Sequence, residues 1–64
     1  MKVHDLIRMV ERDGWQLVRQ SGSQREYWHP WKFGAVMVAG NLSETVKPGT
    51  LASALRQASL NGSR

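Results

Sequence analysis

Two apolar stripes at helical spacing bracket this sequence, and they constrain its fold more than any other feature. Val3, Leu6, Ile7 and Val10 fall at i, i+3, i+4 and i+7. Leu51, Ala54, Leu55 and Ala58 repeat the same spacing near the other end. Each set lies on one face of a helix, and neither helix can bury that face alone. The residues between them must therefore supply a common surface on which both helices pack.

The intervening sequence reads as strands. Helix 1 is expected over roughly 2 to 13, with Gly14 as its left-handed stop, although no good N-cap residue precedes Val3. Trp15 to Gln20 reads as a first strand, ended by the turn-forming Ser21-Gly22-Ser23. Gln24 to His29 is the second, closed by Pro30. Its alternation puts Gln24, Glu26 and Trp28 on one face and Arg25, Tyr27 and His29 on the other, with the buried face left open. Pro30-Trp31-Lys32-Phe33-Gly34 has turn chemistry at both ends, so Ala35 to Ala39 reads as the third strand. A polar loop follows from Gly40 to Gly49, Thr50 is the expected N-cap of helix 2, and Asn61-Gly62 ends that helix. Short loops between consecutive strands imply an antiparallel meander. The expected fold is thus α+β in the order α-β-β-β-α, a three-stranded antiparallel sheet with two helices on one face. It forms a single domain over residues 1–64, with 61–64 as a tail.

Composition narrows the function. A chain of 64 residues buries only about 60% of the surface its unfolded form exposes, so marginal stability is expected. Without cysteine there is neither a disulfide staple nor a thiolate metal site, which points to a cytoplasmic protein. His4, His29 and five carboxylates match no metal-ligand spacing, so no metal or other cofactor is expected. The longest apolar run, Ala35 to Ala39, is far too short to span a membrane, and the charged N-terminus does not read as a signal peptide.

The formal charge is +4, and its distribution is uneven. Lys2, Arg8 and Arg12 balance Asp5, Glu11 and Asp13 in the first thirteen residues. The whole excess lies beyond them, which favours a polyanionic partner, though a merely solvated surface fits charge alone equally well.

The ordered motifs are more specific. Asp13-Gly14-Trp15, Leu17-Val18-Arg19, Gly22-Ser23, Tyr27, His29-Pro30, Val36-Met37-Val38, Lys47-Pro48-Gly49-Thr50-Leu51 and Leu55-Arg56-Gln57-Ala58 follow one another at set spacing from about residue 3 to 60. In that order they resemble the HicA family of bacterial toxins. The resemblance implies a fold like that of double-stranded-RNA-binding domains and a metal-independent endoribonuclease that cuts mRNA. It also implies a type II toxin–antitoxin system whose HicB-like antitoxin covers the active site. The family pattern places a catalytic histidine directly after Gly-Ser, where this chain carries Gln24.

Histidine suits that position because its reference pKa lets it gain and lose a proton near neutrality, whereas a glutamine amide has no proton to exchange. Three readings of Gln24 stand open. It is a deliberate inactivating substitution, a natural weakening in a relative that still binds RNA or its antitoxin, or a sign that His29 or His4 has taken over proton transfer. An odd separation places His29 on the opposite strand face from Gln24, which favours a structural role beside Pro30. His4 reads as a solvated residue of helix 1.

The remaining candidates surround this position. Gly22 and Ser23 offer turn N–H groups to a phosphate or simply close a hairpin. Arg25 and Lys32 are surface cations available to RNA phosphates, and Lys47 adds a cation at a helix N-terminus. Trp28 and Trp31 flank Pro30, where base stacking, core packing and antitoxin contact compete, while Trp15 is assigned to the core. At least one of Trp28 and Trp31 is expected in a partner interface. A non-enzymatic module that holds RNA or the antitoxin is the alternative to an active nuclease.

Overall fold

The computed structural model describes residues 1–58, which form α1 (Val3–Arg12), β1 (Gln16–Ser21), β2 (Gln24–Trp28), β3 (Ala35–Ala39) and α2 (Pro48–Ala58). The expected end of the second helix at Asn61-Gly62 and the tail 61–64 lie outside the described residues. The sheet is antiparallel in the order β1-β2-β3, so the α-β-β-β-α meander stands as anticipated.

Helix α1 starts without a conventional cap because other groups satisfy its first N–H donors. The Lys2 N–H donates to Asp5 Oδ2 at 3.0 Å, and the Asp5 carboxylate also meets the positive end of the helix dipole. Val3 N–H and His4 N–H donate to the carbonyls of Glu44 and Leu42, at 2.9 and 3.1 Å. The helix start and the loop after β3 thus complete one another. Gly14 adopts φ +103 and ends the helix.

Arg25 and Tyr27 of β2 turn inward with Val36 and Val38 of β3. They meet Val3, Leu6 and Val10 of α1, Ala54 and Ala58 of α2, and Trp15 and Val46 from the connections. The stripe of α2 is only partly used: its two alanines are fully buried, whereas Leu51 and Leu55 are half-buried. Small residues there let α2 approach the sheet closely. At the outer edge of β3, the Met37 N–H donates to Gln57 Oε1 of α2 at 3.3 Å.

Three boundaries differ from expectation. Strand β1 runs one residue later than predicted because Trp15 belongs to the core, and its pairing with β2 skips Val18 at a register shift between Leu17 and Arg19. Strand β2 ends at Trp28, since His29 already turns into the next loop. Helix α2 begins at Pro48, so Thr50 lies inside its first turn instead of capping it. Proline is suited to that first position, and the Leu51 N–H donates to the Lys47 carbonyl at 2.9 Å.

Candidate functional site

The hairpin joining β1 to β2 is a two-residue loop closed by the Ser21–Gln24 pair. Gly22 takes φ +58 at its first position, a conformation that costs other residues energy. Gln20 Nε2 donates to the Gly22 carbonyl at 3.0 Å. Behind the turn, the Gly40 N–H donates to the Ser23 carbonyl at 3.2 Å, while Arg25 Nη1 donates to the carbonyls of Ser23 and Gly40 at 3.1 and 2.9 Å. The hairpin tip is therefore stapled to the end of β3.

That staple changes the reading of Arg25. The sequence suggested a surface cation, but the residue is only 8% exposed and its guanidinium bonds to backbone carbonyls inside the fold. What it holds in place is Gln24, exposed on the opposite face of the strand and paired with Ala39.

Gln24 borders a small cavity of about 70 Å³ with Arg25, Met37, Val38, Ala39 and Thr50. A larger cavity of about 210 Å³ adjoins it, sharing Ala39 and Thr50 and reaching Glu44 and Lys47. The structure thus brings Gln24, the hairpin turn and the N-terminus of α2 with Lys47 into one region. Lys47 makes no ion pair among the described residues. A helix N-terminus and a free cation together favour an anion. Among the described residues, the lining of the cavity at Gln24 includes no imidazole or carboxylate, and Glu44 of the neighbouring cavity is engaged through Oε1 by the Asn41 N–H at 2.6 Å.

The other predicted residues gather at the far end of β2. His29 is half-buried, with Nε2 2.8 Å from the Asp13 carbonyl. Its Nδ1 accepts the N–H groups of Trp31 and Lys32, both at 3.2 Å. With Nδ1 occupied as an acceptor, Nε2 carries the proton and donates to Asp13. The imidazole also meets Trp15 and Trp31 edge-on, with ring centroids 5.2 and 4.6 Å apart. Lys32 pairs with Asp13 at 2.5 Å, so its charge is compensated here and it stands away from Gln24 along the sheet. The Lys32 ammonium, helped by the Trp15 indole N–H at 3.1 Å, holds the Asp13 carboxyl below its ordinary range against the effect of partial burial.

Trp28 and Trp31 are exposed, at 52% and 76%, while Trp15 is buried in the core as expected. Phe33 went unmarked in the sequence, hidden in what read as a turn, yet it is 99% exposed. His4 is exposed on α1 and pairs with Asp5 at 3.2 Å.

Among the described residues, no three His, Asp or Glu side chains cluster to hold a metal, and no helix is long and apolar enough to cross a membrane. No curated protein matches the chain. A family model described as the HicA toxin of bacterial toxin–antitoxin systems matches residues 3–60. With nearly its whole length so matched, and with the α-β-β-β-α architecture in place, the chain belongs to the HicA toxin family.

Proposed function

We propose that this toxin is built to cleave mRNA without a metal, with position 24 as the seat of proton transfer, and that Gln24 leaves this chain impaired in that step. The observation carrying the reading is the placement of Gln24. It stands exposed behind a stapled hairpin, next to a depression that reaches Lys47 and the α2 N-terminus.

In such a reaction the RNA 2′-oxygen forms a bond to phosphorus as the bond to the 5′-oxygen breaks. A proton leaves the 2′-hydroxyl and another reaches the departing 5′-oxygen. Gly22, Ser23 and Lys47 bind the phosphate through turn N–H groups and a cation. Arg25 serves by fixing the hairpin, and Lys32, its charge taken up by Asp13, lies away from the reacting phosphate. Trp28 and Trp31 contact the antitoxin. Gln24 can donate a hydrogen bond to a phosphate oxygen, but its amide exchanges no proton, which costs about 10²- to 10⁴-fold in rate.

A second reading is favoured by the lining of the cavity at Gln24, which holds no imidazole or carboxylate among the described residues: the chain binds RNA or antitoxin and cuts nothing. Both are tested by expressing this chain and Gln24→His separately in a sensitive host, then following growth and bulk mRNA. RNA cleavage by the purified proteins is measured in parallel with a chelator present. Activity that appears only with Gln24→His supports the catalytic assignment. Cleavage by the unmodified chain that disappears with His29→Ala overturns it.

A further inference from the structure

Beyond β2, the loop from Pro30 to Gly34 presents an apolar surface that the fold itself does not use. Phe33 is almost wholly exposed, and Trp31 and Trp28 are largely so. These rings stand on a constrained backbone. His29 Nδ1 ties down two N–H groups of the loop, and the Trp28 indole N–H donates to Glu26 Oε2 at 2.7 Å. Trp28 therefore has its one polar atom satisfied and its ring exposed. A groove of about 470 Å³ lies beside it, lined by Trp28, Phe33 and Ala35 together with Glu26, Lys32 and the His29 imidazole that bonds to the loop and to Asp13.

Charge identifies what this groove suits. Glu26 pairs with Arg19 at 3.6 Å, and Lys32 pairs with Asp13. The four charges cancel, although the chain as a whole carries +4. A polyanion gains more at an unpaired cation such as Lys47 than beside cations already paired with carboxylates, as here. A protein contact has the opposite preference: exposed aromatic rings with a compensated polar rim are what a partner anchors on. The exposed ring surface is on the order of 400 Å², about half of what each partner buries in a standard interface.

We propose that the groove between Trp28 and Phe33 is the anchor site for the antitoxin of this toxin, filled by an apolar side chain of that protein. The inference rests on the toxin reading above and adds Phe33 as an anchor and an uncharged mode of recognition. Its location has a further consequence. Trp28 and Gln24 share one face of β2, four residues and about 13 Å apart, so a partner seated on the rings extends over position 24.

The test is calorimetric titration of the full chain with its purified cognate antitoxin, at low and high salt. Binding of a fluorescein-labelled single-stranded oligoribonucleotide is measured alongside. Phe33→Ala should weaken antitoxin binding at least about 30-fold, the scale of a hot-spot residue, and leave RNA binding and the unfolding midpoint unchanged. Phe33→Leu should recover part of the loss. Antitoxin affinity should vary little with salt, whereas RNA affinity should fall steeply. Unchanged antitoxin affinity in Phe33→Ala overturns the proposal, as does antitoxin binding that collapses with salt. Loss of RNA binding in place of antitoxin binding also overturns it and makes the groove a nucleotide site. Failure of Gln24→His to cleave RNA would remove the catalytic reading and leave this measurement intact.

Discussion

The His29 imidazole bridges two segments sixteen residues apart: Nε2 reaches the Asp13 carbonyl at 2.8 Å while Nδ1 receives two N–H groups from the loop after β2. One ring thereby holds the end of α1 against the aromatic loop. His29→Ala should destabilise the protein by about 1–3 kcal/mol, the range for leaving partly buried backbone groups unpaired. Urea denaturation followed by tryptophan fluorescence measures this. His29→Ala combined with Gln24→His should keep the cleavage rate per folded molecule, because the imidazole is committed to structure.

The same bridge explains why residue 14 is a glycine. A Cβ there would lie 2.8 Å from His29 Nε2, on a backbone already at φ +103. Gly22 also has a positive φ, yet no atom of the described residues lies within 4 Å of the space its Cβ would occupy. Gly22→Ala should therefore cost only the backbone strain, about 1 kcal/mol. Gly14→Ala should cost clearly more, since it also displaces the histidine. Comparable unfolding midpoints for the two variants would contradict this account.

The fold was legible because its signals were local. The α1 stripe and the V-M-V strand carry their own periodicity and the Gly22-Ser23 turn its own residue chemistry, and each forms where expected. What the sequence concealed depends on distant partners. Nothing near Arg25 indicates that Gly40, fifteen residues on, accepts its guanidinium, so a buried staple read as a free cation. Phe33 was concealed for a related reason: turn residues are read for backbone chemistry, and exposure becomes visible only when nothing packs on the ring. Position 24 was legible only through the family pattern, since a glutamine on a strand marks no chemistry by itself.

Asp13 should give the protein an acid-sensitive component of stability. Lys32 and Trp15 lower its pKa in the folded state relative to the unfolded chain. The unfolded state therefore binds its proton first as pH falls. The stabilisation is present above the unfolded carboxylate pKa of about 3.9 and is lost as pH drops through the lower folded value. Denaturant midpoints measured between neutral pH and pH 2 should fall less steeply for Asp13→Asn than for the unmodified chain. High salt should reduce the difference, because the pair is only partly shielded from solvent.

Arg25 and Lys47 should separate cleanly in the salt dependence of RNA binding. A cation that neutralises a phosphate releases a counterion, so removing it lowers the slope of log affinity against log salt by about 0.7 for a single strand. Lys47 is exposed and without an ion pair among the described residues, and Lys47→Gln should reduce that slope. Arg25 donates instead to the Ser23 and Gly40 carbonyls. Arg25→Met should leave the slope unchanged while lowering the unfolding midpoint, as both carbonyls lose a donor and the hairpin loosens. In a Gln24→His background it should also slow cleavage, because the residue at position 24 is held by that hairpin. A slope that drops with Arg25→Met as much as with Lys47→Gln would return Arg25 to the RNA surface.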